Sequence, residues 1–342
     1  MEFGAILMFR NPQPWQRPVQ EVYRDLLDLC VVAEELGFDH LWTSEHHFLE
    51  DGWSPSQLPI LAAIAARTKR IRIGTFVLLL PFHNPIRVAE DAATVDTISN
   101  GRFDLAVGPG SDPGDYATFG VPMKQRRPRM HEGLEIIRRC LNEEEFSFTG
   151  KYWEFNKVRM TPKPVQQPLP LWVAALGPQA VAEAGTNGYH LAAAPPAPLQ
   201  KIYDDALRTA GHDPQQFQRA GLHIGHVAAT HEKAWDECEA HLQWHMKVHF
   251  KAMAAPENQT MSRGQDLTVP PLGELRKQGR GPYGPAYVGT PDEVSKMLEE
   301  ELKICPMTQM VFSLDSPGMD PRYMRSSLAL FAKEVIPHFR NR

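Results

Sequence analysis

The chain has 342 residues, of which 42% are hydrophobic and 23% are charged, and its formal net charge is -5. A soluble protein of this size can bury a large core, and α/β barrels of this length are common as one domain. The mild acidity and the lack of a Lys/Arg-rich tract argue against a partner of nucleic acid. The longest apolar run, 73–82, is too short to span a bilayer, so no membrane association is expected.

The distribution of cysteine and histidine predicts a cytoplasmic protein without metal. The amino terminus lacks the basic start of a signal peptide. The cysteines are scattered singly, without a zinc-type pair, and disulfides are not expected: Cys30, Cys140, Cys238 and Cys305. His241, His245 and His249 recur at helical spacing, but no carboxylate motif accompanies them.

Short apolar runs and amphipathic stretches alternate through the first part of the chain. Strands are predicted at 3–9, 38–42, 72–80 and 102–107, because each is a short run with few charges. Helices are predicted at 19–36, from Pro55 onward, at 85–99 and around 130–141, where apolar residues recur at helical spacing. The segment 146–165 interrupts this alternation and is predicted to be a hairpin insertion after the fourth helix.

The alternation resumes at residue 171. Strands are predicted at 171–175, 189–193, 222–229 and 309–314, and helices follow at about 178, 199–210, 232–250, 291 and 323–335. The segment 255–286 has little periodicity and is rich in Gly, Pro, Gln and Arg, so it is predicted to be a long mobile lid loop before the eighth strand.

Eight strands, each followed by a helix, predict a (β/α)8 TIM barrel that spans residues 1–342 as one domain. A doubly wound open sheet is the alternative fold. It would usually place a Gly-rich turn after the first strand, and the loop at 10–18 contains no glycine.

The active site of such a barrel lies at the carboxyl ends of its strands. Glu45, His46 and His47 follow the second strand directly. A carboxylate and two imidazoles are costly to bury without partners, and they suit proton transfer near neutral pH. The loops at 80–84 and 108–114 should reach the same face. The helix start at Gly177-Pro178 is either a phosphate site or a plain helix start.

Several motifs in a fixed order resemble those of the bacterial luciferase-like flavin monooxygenases, from Met1 to about Phe339. The matching segments are Glu45-His46-His47-Phe48, Leu80-Pro81, Asn84 to Asp91, Asp96 to Arg102 and Gly289-Thr290-Pro291. The resemblance implies a (β/α)8 barrel that uses reduced FMN supplied by a separate flavin reductase. It also implies a homodimer.

The resemblance further implies roles for individual residues. His46 would be catalytic, together with Glu45 and His47. FMN contacts would come from Thr75, Phe76 and Val77, where the family often has a non-proline cis peptide, and from Gly108, Gly110, Ala175, Leu176 and Gly177, the last of these at the phosphate. The substrate would be lined by Trp42, His245, Met246 and Phe250.

Two residues depart from the family pattern. Many relatives carry an arginine, directed to the flavin phosphate, where this chain has Pro109. The luciferases have a reactive cysteine where this chain has Gly108, so light emission is not expected.

The resemblance implies monooxygenation of a small apolar organic substrate by reduced FMN and molecular oxygen, through a flavin carbon-4a hydroperoxide protected in a dry site. A deazaflavin-dependent dehydrogenase on the same barrel is an alternative, although the tetrad that begins at Glu45 favours FMN. A flavin-binding protein without chemistry is the third hypothesis.

Overall fold

The computed structural model describes residues 1–253, 268–281, 284–313 and 315–340. They form an α/β fold around a curled, mostly parallel sheet. The strands are β1 (Glu2–Leu7), β2 (His40–Thr43), β3 (Arg72–Thr75), β4 (Leu78–Leu79), β5 (Phe103–Gly108), β6 (Phe146–Thr149), β7 (Glu154–Val158), β8 (Leu171–Val173), β9 (His190–Leu191), β10 (Ala220–Val227), β11 (Arg280–Gly281), β12 (Gly284–Pro285), β13 (Tyr287–Gly289) and β14 (Gln309–Ser313).

Strand order in the main sheet is β13-β10-β14-β1-β2-β3-β5-β8-β9, and β4 pairs with β5. Neighbouring strands run parallel, as β1 does beside both β14 and β2. Strand β9, at one end of this order, meets the start of β10 at a parallel bridge between Leu191 and Arg219, the residue before β10, and β13 pairs with the carboxyl end of β10. This closed circuit is consistent with the predicted (β/α)8 barrel.

Helices follow the barrel strands: α1 (Val19–Glu35), α2 (Gln57–Arg67), α3 (Pro85–Ser99), α4 (Pro113–Thr118), α5 (Arg126–Asn142), α6 (Pro178–Thr186), α7 (Ala197–Thr209), α8 (His231–Met253), α9 (Glu274–Gln278), α10 (Pro291–Ile304), α11 (Pro321–Leu330) and α12 (Ile336–Arg340). Local chemistry explains the ends of α3. Oδ1 of Asn84 accepts from the N–H of Ile86 at 3.0 Å, and Asn100 ends the helix with φ 57°. Of the helices in the described residues, none combines the length and the apolarity that a membrane span requires.

Two segments are predicted to depart from the strand–helix alternation, 146–165 and 255–286. In the segment 146–165, β6 and β7 pair antiparallel. Of the predicted lid at 255–286, residues 255–267 and 282–283 lie outside the described residues. The prediction of a structureless loop is wrong for part of the remainder, which contains α9 and the antiparallel pair β11–β12. Glu239 orders this part, because its buried carboxylate accepts from the N–H of Gly273 at 2.7 Å and from Arg276.

A small aromatic cluster fills the lower barrel interior. Trp42 and Trp172 meet edge to face at 5.4 Å between ring centroids, and both are buried. Gly74 makes room for them, since a Cβ there would lie 2.4 Å from the Trp42 ring. The barrel is therefore closed at its base, and the space for a ligand lies at the carboxyl ends of the strands.

Candidate active site

Glu45, the second residue after β2, is the centre of a buried hydrogen-bond group. Its Oε1 lies 2.9 Å from Nε2 of His47 and 2.8 Å from Nε2 of His83. Its Oε2 accepts from Nε2 of Gln57 at 3.1 Å and from the N–H of Leu79 at 3.2 Å. Four donors from two loops, one helix and the strand β4 thus converge on one carboxylate that is 3% exposed.

The charge state of Glu45 follows from these contacts. Burial by itself raises the pKa of Glu45, but the hydrogen bonds and charges of His47 and His83 outweigh it and bring the pKa down to about 2. The carboxylate is therefore ionised at neutral pH and can only accept. Both imidazoles must then donate from Nε2, an assignment made from the network.

His46 contacts a different wall from its neighbour. Its ring centroid lies 4.0 Å from that of Trp53, which is buried. The Arg10 guanidinium lies 3.9 Å over the same Trp53 ring, and His245 lies 5.5 Å from it. The two consecutive histidines thus lie on two sides of the site: His47 contacts Glu45, and His46 contacts Trp53.

Aromatic rings surround His47. The Phe119 ring lies 4.8 Å from the imidazole and stacks on Phe82 at 4.7 Å. Phe48, 63% exposed, lies 5.3 Å from Phe119. On α4, burial and, to a smaller extent, nearby acidic groups raise the pKa of Asp115 to about 6, although His47 acts to lower it. The His47 side of the site is therefore apolar, with a second carboxyl group in its electrostatic range.

The break between β3 and β4 lies beside Glu45. The Phe76–Val77 peptide is cis, as the resemblance implied, and both side chains are partly exposed. Thr75 is fully buried instead. Its Oγ1 donates to Ala106 O at 2.6 Å and accepts from Ala106 N at 2.9 Å. The Thr75 side chain therefore joins β3 to β5 and leaves only the backbone of this residue for the predicted contact with FMN.

Glycines leave space on the neighbouring loops. A Cβ at Gly108 would lie 2.6 Å from Cγ2 of Val77, and Gly110 has φ 66°, which favours glycine. At Gly177 a Cβ would meet nothing within 4 Å, and the first bond of α6 runs from Val181 N to Gly177 O. The N–H groups of Gln179 and Ala180, which precede Val181 in the first turn of α6, therefore have no acceptor within the helix.

A profile of the luciferase-like monooxygenase family matches residues 1–304. The chain belongs to this family. It is 32% identical to the 4-hydroxyprotoasukamycin monooxygenase of Streptomyces nodosus subsp. asukaensis over 99% of this chain and 92% of that protein. It is also 32% identical to the oxygenase component of the flavin-dependent trigonelline monooxygenase of Acinetobacter baylyi, but that match spans only 53% of this chain and 51% of the relative.

Solved structures of this fold agree along the whole chain. Monooxygenase RslO1 from Streptomyces bottropensis has a TM-score of 0.83 and 27% identity, covering 99% of this chain and 100% of that one. The oxygenating constituent of 3,6-diketocamphane monooxygenase from Pseudomonas putida, in complex with FMN, has a TM-score of 0.80 and 21% identity, with 98% of each chain covered.

Luciferase-like relatives with another cofactor also match this chain. It is 38% identical to the F420-dependent glucose-6-phosphate dehydrogenase of Amycolatopsis mediterranei over 48% of this chain and 51% of that protein. Membership of the family therefore supports an oxidoreductase and leaves the kind of flavin open.

Three residues assigned to the luciferase-like site by sequence lie deeper than expected. Trp42 is fully buried in the lower barrel, so it supports the floor and does not line a surface. Met246 packs in the core between sheet and helices, because it shares the buried stripe of α8 with Leu242. The Ala175 side chain is buried in the same core and leaves only its backbone for a ligand, whereas Leu176 beside it is 70% exposed.

The remaining predicted lining residues are His245, 4% exposed beside Arg10, and Phe250, whose side chain lies outside the described residues. Sequence analysis assigned no role to His83, Gln57 or Arg10. His83 had a signal, since it follows the third strand on the active face. Gln57 and Arg10 had none, because a helix-start amide and a loop arginine are ordinary surface residues. Within the described residues no cluster of metal-ligand type occurs.

Proposed function

We propose that this protein is a flavin-dependent monooxygenase that uses reduced FMN and molecular oxygen to oxygenate a small apolar organic substrate. The observation that supports this most strongly is the binding of two imidazoles and the N–H of Leu79 to one carboxylate, Glu45. It joins proton-carrying groups to the segment that contains Phe76 and Val77. Reduced FMN, when bound, would supply the electrons that activate oxygen.

The residues around this segment suit a planar, partly apolar ligand. Phe76, Val77 and Ala174 are partly exposed. Leu222 is 47% exposed, although it lies on the same strand face as the buried Ala220. We therefore expect the flavin ring beside Phe76, Val77, Gly108 and Gly110, and its phosphate near 175–177, where the first N–H groups of α6 have no acceptor within the helix.

The side chains of the Glu45 group, next to the expected flavin site, can hold and move protons. His47 and His83 each donate from Nε2 to Glu45, so Nδ1 is the nitrogen at which either ring can take up or release a proton. Glu45 orients both rings. His46, the catalytic residue implied by the resemblance, would act from the Trp53 side. The aromatic rings around His47 would limit the access of water during the reaction.

The names of two relatives support a separate reductase, since one is an oxygenase component and the other an oxygenating constituent. A deazaflavin-dependent dehydrogenase is the second candidate, supported by the match to the F420-dependent dehydrogenase. A flavin-binding protein without chemistry is the third. The homodimer and the cytoplasmic location stay predictions.

Rapid mixing tests the leading proposal. The purified protein is mixed anaerobically with reduced FMN and then with oxygen, while the flavin absorption is recorded. We expect a long-lived species with a spectrum between those of reduced and oxidised flavin. Reoxidation at the rate of free flavin, together with tighter binding of a deazaflavin than of FMN, would support the dehydrogenase instead.

Variants of the two adjacent histidines separate their roles. We expect His47→Gln to bind FMN but to shorten the lifetime of that species, because an amide can donate a hydrogen bond but cannot take up and release a proton as an imidazole does. His46→Gln tests the assignment implied by the resemblance in the same way. His212→Gln, an exposed histidine, is the control. Normal oxygenation in both site variants would contradict the catalytic roles of these histidines, whereas FMN binding without oxygenation by the wild type would favour the flavin-binding protein without chemistry.

A further inference from the structure

Arg10, in the loop after β1, is a buried arginine beside the candidate site. Only 4% of its surface is exposed. Its guanidinium lies 3.9 Å over the ring of Trp53 and 5.1 Å from the ring centre of Trp244. Its Nε forms an ion pair with Asp51, whose side chain is 1% exposed. The pairing is needed because a buried charge without a partner is strongly destabilising.

The second contact of this guanidinium is with a histidine. Nη1 of Arg10 lies 2.8 Å from Nδ1 of His245, which is 4% exposed. We propose that Arg10 is a positioning residue that holds His245 as a neutral imidazole with its only proton on Nε2. This role belongs to a residue outside the Glu45 group, on the Trp53 side of the site.

The chemistry of the two side chains carries the argument. A guanidinium has five N–H donors and no acceptor, so the imidazole nitrogen that faces it must be the acceptor. An accepting Nδ1 carries no proton. A doubly protonated His245 would instead direct an N–H at an N–H, next to a positive charge. The other tautomer has the same clash at Nδ1.

Asp51 holds the guanidinium in this orientation. Its Oδ2 accepts a hydrogen bond from Nε of Arg10, and its Oδ1 accepts one from the N–H of Trp53 at 3.4 Å. Its carbonyl oxygen accepts from the N–H of Asn11 at 2.8 Å, which ties the 51–53 turn to the loop that carries Arg10. The turn, the arginine and the Trp53 ring thus form one unit, and the direction of Nη1 toward His245 follows from it.

The tautomer determines what His245 can recognise. With its proton on Nε2, it can only donate, so a group that meets Nε2 must be an acceptor such as a carbonyl, hydroxyl or carboxylate oxygen. Because His245 and His46 pack on the same Trp53 ring, that acceptor would lie near the reaction site. The inference about the substrate group rests on the proposed function, whereas the inference about the tautomer of His245 does not.

Nitrogen NMR of the full chain tests the proposal at neutral pH. With 15N-labelled histidine, correlation through the ring protons separates the two neutral tautomers from the imidazolium. A His245→Gln variant identifies the signal among the 14 histidines. We expect a neutral ring protonated on Nε2, both in the ligand-free protein and with FMN added. If the wild-type protein showed a proton on Nδ1, or a doubly protonated ring, that result by itself would overturn the proposal.

Two arginine variants add a graded test. Arg10→Lys keeps a cation that can only donate, so the tautomer should be retained. Arg10→Met removes the donor, so His245 should become a mixture of states. Arg17→Met is the matched control, since Arg17 lies in the same loop and pairs with Asp25 at 2.8 Å. An unchanged His245 signal in folded Arg10→Met would contradict the role of Arg10. A failure to oxygenate substrate would leave this NMR result intact and would count only against the proposed function.

Discussion

His47 and His83 share one acceptor atom, because the Nε2 atoms of both rings lie within 2.9 Å of Oε1 of Glu45. The first follows β2 and the second follows β4, so two loops meet at a single oxygen. One carboxylate oxygen therefore orients both rings at once. Removal of that carboxylate is the most direct test of the arrangement.

Replacement of Glu45 by Gln keeps the shape of the side chain and removes its charge. The amide nitrogen of Gln would replace one carboxylate oxygen. It would face either the two imidazoles or the N–H groups of Gln57 and Leu79, and would leave those donors buried without an acceptor. We expect the free energy of unfolding at pH 7 to fall by about 2–4 kcal/mol, measured by urea denaturation. Glu144→Gln is the control, because Glu144 is 83% exposed in its pair with Arg159. Equal stability of E45Q and the wild type would contradict the role of the network.

Acid should remove the contribution of Glu45. Its pKa in the folded protein is about 2, below the ordinary value of 4.5. Its contribution to stability is therefore complete above about pH 4.5 and is lost as the pH falls toward 2. The lost contribution is about 3 kcal/mol. Unfolding free energies measured from pH 6 to pH 2.5 should show the gap between wild type and E45Q narrowing. A constant gap would count against the lowered pKa.

Asp315 should act in the opposite direction. Burial raises its pKa to about 7, although the N–H of Met8 at 2.7 Å and Ser313 favour the ionised form. The neutral carboxyl contributes stability that is complete below about pH 4 and is lost as the pH rises through 7. The free energy of unfolding of Asp315→Asn, taken relative to that of the wild type, should therefore rise by about 2 kcal/mol as the pH increases from 5 to 8. The exposed Asp205→Asn variant should show no such gain.

Gly108 and Val77 should behave as a coupled pair. A Cβ at Gly108 would lie 2.6 Å from Cγ2 of Val77, so Gly108→Ala should cost about 1–3 kcal/mol of stability and should weaken FMN binding. Val77→Ala removes the contact, and the double variant should recover part of both losses. A double-mutant cycle of unfolding free energies and flavin fluorescence titrations measures this. Additive losses would mean that the two residues do not interact.

The position of the candidate site could be predicted from local sequence. Helix α3 begins and ends where Pro85 and Asn100 predicted, because capping chemistry involves neighbouring residues. The loop with Glu45 follows an apolar run, and the carboxyl ends of parallel strands share one face of a barrel. Burial depth was harder to predict. Thr75, Trp42 and Met246 have residue types that suit a pocket, but packing against distant strands and helices buries them.

The sequence by itself determined the alternation of strands and helices, the family and the loop that carries the carboxylate and two imidazoles, since each depends on neighbours along the chain or on motifs in order. Only the tertiary structure decided which groups meet. His47 and His83 bind one oxygen of Glu45, whereas His46 packs on Trp53 next to Arg10. Such contacts join residues far apart in sequence, and the direction of each side chain depends on loop backbone and packing that no local pattern records.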